Sequence, residues 1–289
     1  MTTHATFEEA LKKNALISAD LLKNPQKYRV LTGDRPTGPL HIGHYFGTLA
    51  NRVKLQAMGI ESFILIADYQ VLTDRDSVGQ IASNTREIIL DYLAVGLEPF
   101  AHNTVIFNHS AIPELNQLLL PFLTLVSVPE LERNPTVKDE IKAAGLQVIN
   151  AAMLLYPVHQ AADILFCKAN LVPVGKDQLP HLELSRKIAR RFNEKYKNMF
   201  PEPDALLSET PVILGLDGNQ KMSKSRNNAI FLGSTEDETA KLIKGAKTDS
   251  ERQIMYDPEN RPEVANLLRI ISLCTGQTPV QIADQIGDQ

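Results

Sequence analysis

The stretch YRVLTGDRPTGPLHIGHYFGTLANR, residues 28–52, passes from an apolar segment through a Pro- and Gly-studded turn into a helical pattern. Tyr28–Gly33 reads as a short strand buried on both faces, and Tyr45–Met58 as a helix. Gly33 and Gly38 are read as positions able to take positive φ, while Pro36 and Pro39 stiffen the turn. A helix starting near Gly43 offers free backbone N–H groups and the positive end of a dipole, and Gly43 itself would let a flat base lie on the backbone. His41 and His44 are spaced to face one ligand from the first helical turn, and can donate hydrogen bonds to phosphate oxygens without a metal. Taken alone, the pair is moderately specific, and ordinary capping histidines are the alternative.

Further apolar runs at Ser62–Ala67, Thr104–Asn108 and Val212–Leu216 read as buried strands. Helical patterns at Val78–Ala94, Glu114–Thr124, Ala143–Leu155 and Pro180–Tyr196 lie among them. This alternation predicts an α/β fold, a Rossmann-like parallel sheet with helices on both faces. Ligands are then expected at the carboxyl ends of the strands, where strand order reverses. Residues 1–27 read as an N-terminal helical extension and 28–235 as the sheet domain. Residues 236–289 read as the start of an all-helical domain, with helices at Thr239–Ala246, Pro262–Cys274 and Pro279–Ile286.

Composition narrows the function. No apolar run approaches the roughly 18 residues needed to span a bilayer, so no membrane partner is expected. The N-terminus reads as a polar amphipathic helix rather than a secretory signal. Cys167 and Cys274 make neither a disulfide framework nor a metal-ligand set, which points to a reducing, cytoplasmic setting. A net charge of −4 excludes a globally basic DNA-packaging protein but leaves room for RNA on a local patch. The segment RKIARRFNEKYK, 186–197, is one concentration of charge. Leu184, Ile188 and Phe192 recur on its other side, so it also reads as a solvated helix face.

A second signature decides between these readings. GLDGNQKMSKSRNNAI, residues 215–230, carries Lys221 and Lys224 on a loop preceded by Gly215 and Gly218. Two ammonium groups so placed can reach the β- and γ-phosphates of ATP from the side opposite the histidines. HIGH and KMSKS together resemble the signature of class I aminoacyl-tRNA synthetases. Within that class LLYPVHQAADILF (154–166), VPVGKDQLPHLELSR (172–186) and KGAKTDSERQIMYDPENRPEVANLLRI (244–270) resemble the tryptophanyl-tRNA synthetase family of bacterial type, over roughly residues 28–280.

The resemblance implies a HUP-type nucleotide-binding domain followed by an anticodon-binding helical domain. It implies activation of L-tryptophan with ATP and transfer to tRNA(Trp), in a homodimer formed through helices within 90–135. LNQLLLPFLTLVSVPEL (115–131) carries more apolar surface than one helix buries easily. Mg²⁺ would arrive with ATP, without a dedicated protein metal site. His41 and His44 would contact the α/β-phosphates, and Lys221 and Lys224 the leaving pyrophosphate. Arg35, Pro36, Thr37, Gly43, Gly175, Lys176, Met222, Ser223 and Ser225 would also touch ATP, with Asp177 at the ribose and Val212 beside adenine. Asp163 would accept the indole N–H, Tyr156 and Gln178 would hold the amino acid's polar end, and Gln70 and Gln160 would line the same pocket. An indole nitrogen is a donor only, so a pocket that selects it needs a fixed acceptor.

The chain departs from the family in places. Gln70, in IADYQVLTD, stands where a histidine is common. Lys138 matches a family lysine, but Glu140 replaces another basic residue. The segment before Tyr28 has no assigned role, and the family continues past Gln289, which suggests a truncated chain or an incompletely ordered helical domain. Three alternatives stay open: a tyrosyl-tRNA synthetase, a small-molecule nucleotidyltransferase with an HxGH loop, and a silent paralog that binds tRNA without turning over ATP.

Overall fold

Five short strands, apolar on both faces, carry the fold: β1 (Arg29–Asp34), β2 (Glu61–Ile66), β3 (Thr104–Asn108), β4 (Leu171–Val174) and β5 (Asp204–Leu207). All pair in parallel, in the order β3-β2-β1-β4-β5. Order reverses between β1 and β4, so the ligand crevice of such a sheet opens beyond their carboxyl ends. The computed structural model describes residues 2–73, 80–144, 150–207 and 213–287; within these, side chains of residues 2–10, 143, 144 and 225 lie outside the described set. Helices in chain order are α1 (Thr2–Lys23), α2 (Ala50–Ala57), α3 (Ile81–Ala94), α4 (Pro135–Ala144), α5 (Ala151–Phe166), α6 (Leu179–Lys195), α7 (Glu236–Lys244), α8 (Pro262–Thr275) and α9 (Pro279–Gly287), with shorter turns between some of them. Among the described residues no helix is long and apolar enough to cross a membrane.

The chain divides into two compact units, Met1–Thr37 with Arg52–Glu209, and Gly38–Asn51 with Thr210–Gln289. These bounds differ from the three sequence segments, because the HIGH turn groups with the C-terminal part.

In the first unit the core packs α5 and α6 on the sheet through Leu31, Leu65, Val158, Ala161, Ile164 and Ile188. The N-terminal extension also belongs here. Ile17 and Leu21 of α1 pack with Val30, Leu171 and Leu206. The Asn14 Oδ1 accepts the Leu207 N–H at 2.8 Å, and Lys13 pairs with Asp204. The extension therefore covers β5, an edge strand that would otherwise present unpaired backbone.

The structure corrects several expectations. β4 and β5 were not expected as strands. Pro173 removes a donor from β4 and argues against a strand, yet Pro173 pairs in register with Leu206 of β5. The expected strand Val212–Leu216 does not join the sheet. Val212 lies outside the described residues, and Leu214 instead makes an isolated antiparallel bridge to Lys221. Helix α5 starts later than expected, where Asn150 Oδ1 caps the Met153 N–H at 2.8 Å, and it continues through Pro157 to Phe166. Burial of Val158, Ala161, Ala162 and Leu165 outweighs the hydrogen bond that Pro157 removes. Gly33 keeps an ordinary strand φ. Its missing side chain serves the close approach of β2, since a Cβ would overlap the Leu65 carbonyl oxygen. Gly38 does take positive φ, at 120°.

Beside the end of β1, Arg52 is buried against Asp34 (2.6 Å), Thr32 Oγ1 (3.0 Å), the Tyr92 hydroxyl (3.2 Å) and the Gly33 carbonyl (3.2 Å). The Tyr92 hydroxyl also donates to Asp34 at 2.7 Å. Arg52→Met removes the buried cation from this cluster, and should lower the unfolding free energy by about 3–5 kcal/mol in urea denaturation.

Candidate active site

In the second unit the HIGH turn and the lysine loop are bonded together. The Ile42 N–H donates to the Ile230 carbonyl (3.0 Å), the Leu232 N–H donates to the Leu40 carbonyl (2.9 Å), and His41 bridges Phe231. Ile42 and Phe46 pack with Ile213, Met222 and Ala229. The helical turn Ile42–His44 is followed by a wide, π-type turn at Tyr45–Leu49, a distortion frequent at functional positions.

The twin imidazoles lie with ring centroids 3.8 Å apart. The His41 backbone N–H donates to His44 Nδ1 at 3.2 Å, which orients the His44 ring. His41 is buried, and among the described residues its Nδ1 has no hydrogen-bond partner. Burial, then His44, Lys224 and Lys221, pull its pKa down to about 3, so it is neutral at physiological pH. A neutral, unpartnered ring nitrogen suits a phosphate oxygen as a hydrogen-bond donor rather than as a cation. The glycine between the histidines is needed for this packing, because a Cβ on Gly43 would stand 2.9 Å from the His41 ring. The space expected for a flat base over Gly43 is thus partly filled by His41.

The lysine loop is braced by Asn228. Its Oδ1 accepts the Ser223 N–H at 2.9 Å, its Nδ2 donates to Asp217 Oδ2 at 3.0 Å, and a side chain on Gly215 would overlap it. Met222 is buried in the core of the unit, which points the loop's alternate residues outward. Lys224 Nζ donates to the Gly38 carbonyl at 2.6 Å, while Lys221 is exposed. The Ser225 side chain lies outside the described residues.

The first unit holds the other expected residues beyond the ends of β1–β4. Tyr156, Gln160 and Asp163 follow the i, i+4, i+7 pattern on α5, one face spanning about 10 Å of helix. Asp163 is 1% exposed; its Oδ1 lies 2.9 Å from His109 Nε2, and its Oδ2 accepts from Gln70 Nε2 at 3.3 Å. Gln70 therefore sits at Asp163, rather than only near the amino acid's polar end. Gln160 Nε2 reaches Gln178 Oε1 at 3.5 Å, and Gln178 Nε2 donates to Asp177 Oδ2 at 3.0 Å. The Asp177 carboxylate folds over Gly175, where a Cβ would meet it at 2.6 Å. Lys176 and Asp177 are exposed. The Pro36 carbonyl accepts from Asn84 Nδ2 at 3.1 Å, and the Thr37 N–H donates to the Arg35 carbonyl at 2.8 Å, tightening the turn after β1.

Tyr156 is set by a second chain of contacts. Its hydroxyl is 3.0 Å from His181 Nε2, and His181 Nδ1 is 3.2 Å from Asn134 Nδ2. Asn134 donates, so Nδ1 accepts and Nε2–H donates to Tyr156. Burial, then a hydrogen bond to Glu140, raise the Tyr156 pKa above its ordinary value, and Arg35 opposes this. Glu140 thus stands beside Tyr156, not in a basic phosphate contact. Burial pushes His181 down to about 4. Between pH 6.5 and 4 the unfolded chain binds a proton at this residue that the folded chain refuses, so stability falls as pH drops through that window. His181→Asn should flatten that slope in urea titrations at stepped pH.

Sequence reasoning did not single out His109, which lies at the carboxyl end of β3 and is fully buried. A titratable residue directly after a buried parallel strand was the available signal. His109, His159 and Asp163 each offer a ligand atom, all within 4.8 Å. His109 Nε2 faces Asp163 Oδ1 at 2.9 Å, within hydrogen-bond reach.

A doubly wound parallel sheet with polar loops beyond β1–β4, accompanied by a bonded HIGH–KMSKS pair, defines a nucleotide-binding α/β protein of class I synthetase type. A family model described as tRNA synthetases class I (W and Y) matches residues 23–287, and the chain belongs to that family. The tryptophan–tRNA ligase of Treponema pallidum is 48% identical over 227 residues, covering 78% of this chain and 66% of that protein. The one from Borreliella burgdorferi is 48% identical over 227 residues, covering 77% and 64%. The chain thus spans about two thirds of the length of these curated relatives. The solved tryptophanyl-tRNA synthetase of Campylobacter jejuni, complexed with ADP and tryptophan, matches with a TM-score of 0.74 at 34% identity, covering 85% of this chain and 74% of that one.

Proposed function

We propose that this chain activates L-tryptophan with ATP, forming tryptophanyl-adenylate and pyrophosphate, and passes the aminoacyl group to tRNA(Trp). The observation that carries this reading is the bonding of the twin-imidazole turn to the KMSKS loop inside one unit. The names of the relatives and the ADP and tryptophan of the Campylobacter jejuni structure support it.

The tryptophan carboxylate attacks the α-phosphorus of ATP, and the bond to the β-phosphate oxygen breaks. No side chain acts as nucleophile; catalysis is positioning plus neutralisation of charge on the transferring and leaving groups. His41 and His44 donate to α/β-phosphate oxygens. Lys224 keeps one N–H on the Gly38 carbonyl and turns the others to the leaving pyrophosphate, and Lys221 joins it from its exposed position. Asp163 accepts the indole N–H, with Gln70 beside it and Gln160 further along α5. Tyr156 and Gln178 hold the polar end of the amino acid. Arg35, Pro36, Thr37, Gly175, Lys176 and Asp177 also contact the nucleotide. Imidazole and ammonium groups do not suit a hard cation that wants oxygen ligands, so Mg²⁺ comes bound to the triphosphate.

We also propose a homodimer. Leu120 and Val128 in the apolar 115–131 segment are 73% and 58% exposed, which supports that partner surface.

Tryptophan-dependent exchange of pyrophosphate into ATP tests the activity. Exchange with tryptophan and none with tyrosine is the expected result; exchange with tyrosine alone would replace it with the tyrosyl reading. Exchange without tRNA charging would limit this chain to the activation step.

A further inference from the structure

His109 is 0% exposed and lies between two carboxylates. Its Nε2 is 2.9 Å from Asp163 Oδ1, and its Nδ1 is 3.4 Å from Asp68 Oδ1. The Tyr69 N–H also approaches Nδ1 at 3.4 Å, and the Tyr69 ring stacks on the imidazole at 5.5 Å. Asp68 is itself tied down, accepting from Asn108 Nδ2 at 3.0 Å and from the backbone N–H groups of Tyr69 (3.0 Å) and Ser110 (3.4 Å). On the far side His159 Nε2 is 2.8 Å from Asn116 Oδ1, with its Nδ1 4.0 Å from Asp163 Oδ1.

These contacts give the two oxygens of the Asp163 carboxylate different partners. Oδ1 is committed to His109. Oδ2 receives a 3.3 Å bond from Gln70, long enough to be shared with or yielded to a ligand donor. With Nε2 as the donor, Oδ1 is the accepting oxygen of that pair.

We propose that His109 is a positioning residue for substrate choice: by holding Asp163 Oδ1, it presents Oδ2 as the acceptor that selects an aromatic ring bearing an N–H. This rests on the tryptophan reading above and deepens it. Without His109 the carboxylate can rotate about χ2 or turn both oxygens to Gln70 and His159, and its preference for a ring N–H falls. Indole is the substrate class that such an acceptor suits, because it brings a donor and no lone pair of its own.

The test compares tryptophan with its benzothienyl isostere, in which sulfur replaces the ring N–H, by kcat/KM in pyrophosphate exchange. The wild-type chain should prefer tryptophan about 10²–10³-fold. His109→Leu should cut that preference to within about tenfold, mainly by lowering the rate with tryptophan. His109→Gln, whose amide can still donate to Oδ1, should restore most of it. Should His109→Leu fail to fold, His109→Asn takes its place, since its shorter amide cannot make the same reach. An unchanged preference, with both substrates slowed alike, would mean that His109 only supports the fold and would overturn the proposal. Absence of tryptophan-dependent exchange in the wild-type chain would instead overturn the functional reading on which it rests.

Discussion

Asp163→Asn should lower kcat/KM for tryptophan about 10³-fold in pyrophosphate exchange while leaving the affinity for ATP within about twofold. The reason is a donor count. In the folded chain Asp163 accepts from His109 Nε2 and from Gln70 Nε2, and the indole N–H would be a third donor. An asparagine offers one oxygen and one amide nitrogen that only donates. If the oxygen turns to His109, the new amide faces Gln70 and the indole, donor against donor. If it turns to the ligand, the buried His109 N–H loses its acceptor. Each unsatisfied buried donor costs about 1–3 kcal/mol, and two together reach roughly 10³ in rate. ATP binding is measured separately, by equilibrium titration without amino acid, because Asp163 is assigned to the ring of the amino acid and not to the nucleotide. A loss below tenfold would show that Asp163 does not read the ring.

The same residues explain what was legible in the sequence. Tyr28–Gly33, Ser62–Ala67 and Thr104–Asn108 were readable because their apolar runs are continuous and end at turn residues; each became a strand within a residue or so at either end. β4 and β5 were not, since Leu171–Val174 is four residues long and contains a proline, and Asp204–Leu207 follows Pro-Glu-Pro. Their pairing is decided by neighbours distant in the chain, not by local pattern. The site divides the same way. HIGH, KMSKS and Asp163 were legible as motifs whose chemistry is local. The orientation of Asp163 was not, because it comes from His109 directly after β3, fifty-four positions away, and from Gln70 after β2. The brace of KMSKS was hidden too: Asn228 is an ordinary asparagine until Gly215 and Asp217 are folded against it. Gly43 reads as a space for a base, and only the folded ring shows that His41 occupies part of it.

Lys224→Met should lower kcat for exchange about 10²–10³-fold with the KM for tryptophan changed less than about twofold, and Lys221→Met should cost clearly less. Both lysines carry a charge that matters only as negative charge builds on the leaving pyrophosphate, so their loss appears in kcat. They differ in how they are held. Lys224 Nζ is already oriented by the Gly38 carbonyl, and the loop carrying it is braced through the Ser223 N–H and Asn228. A positioned ammonium gives up less rotamer freedom on reaching phosphate than the exposed Lys221 chain does. Methionine keeps similar length and apolar bulk without the charge, so the Met222 packing below it should survive and the thermal midpoint should hold. Removing Lys224 also removes one of the charges that depress His41, whose pKa should rise from about 3, though burial remains the larger cause and the ring stays neutral at pH 7. The pH–rate profile of Lys224→Met should therefore keep its neutral-pH plateau, and the loss should be a uniform drop in rate. A new ionisation between pH 5 and 7 in that variant would show instead that Lys224 acts by keeping His41 unprotonated, and an undiminished kcat would remove the lysine from the leaving-group role.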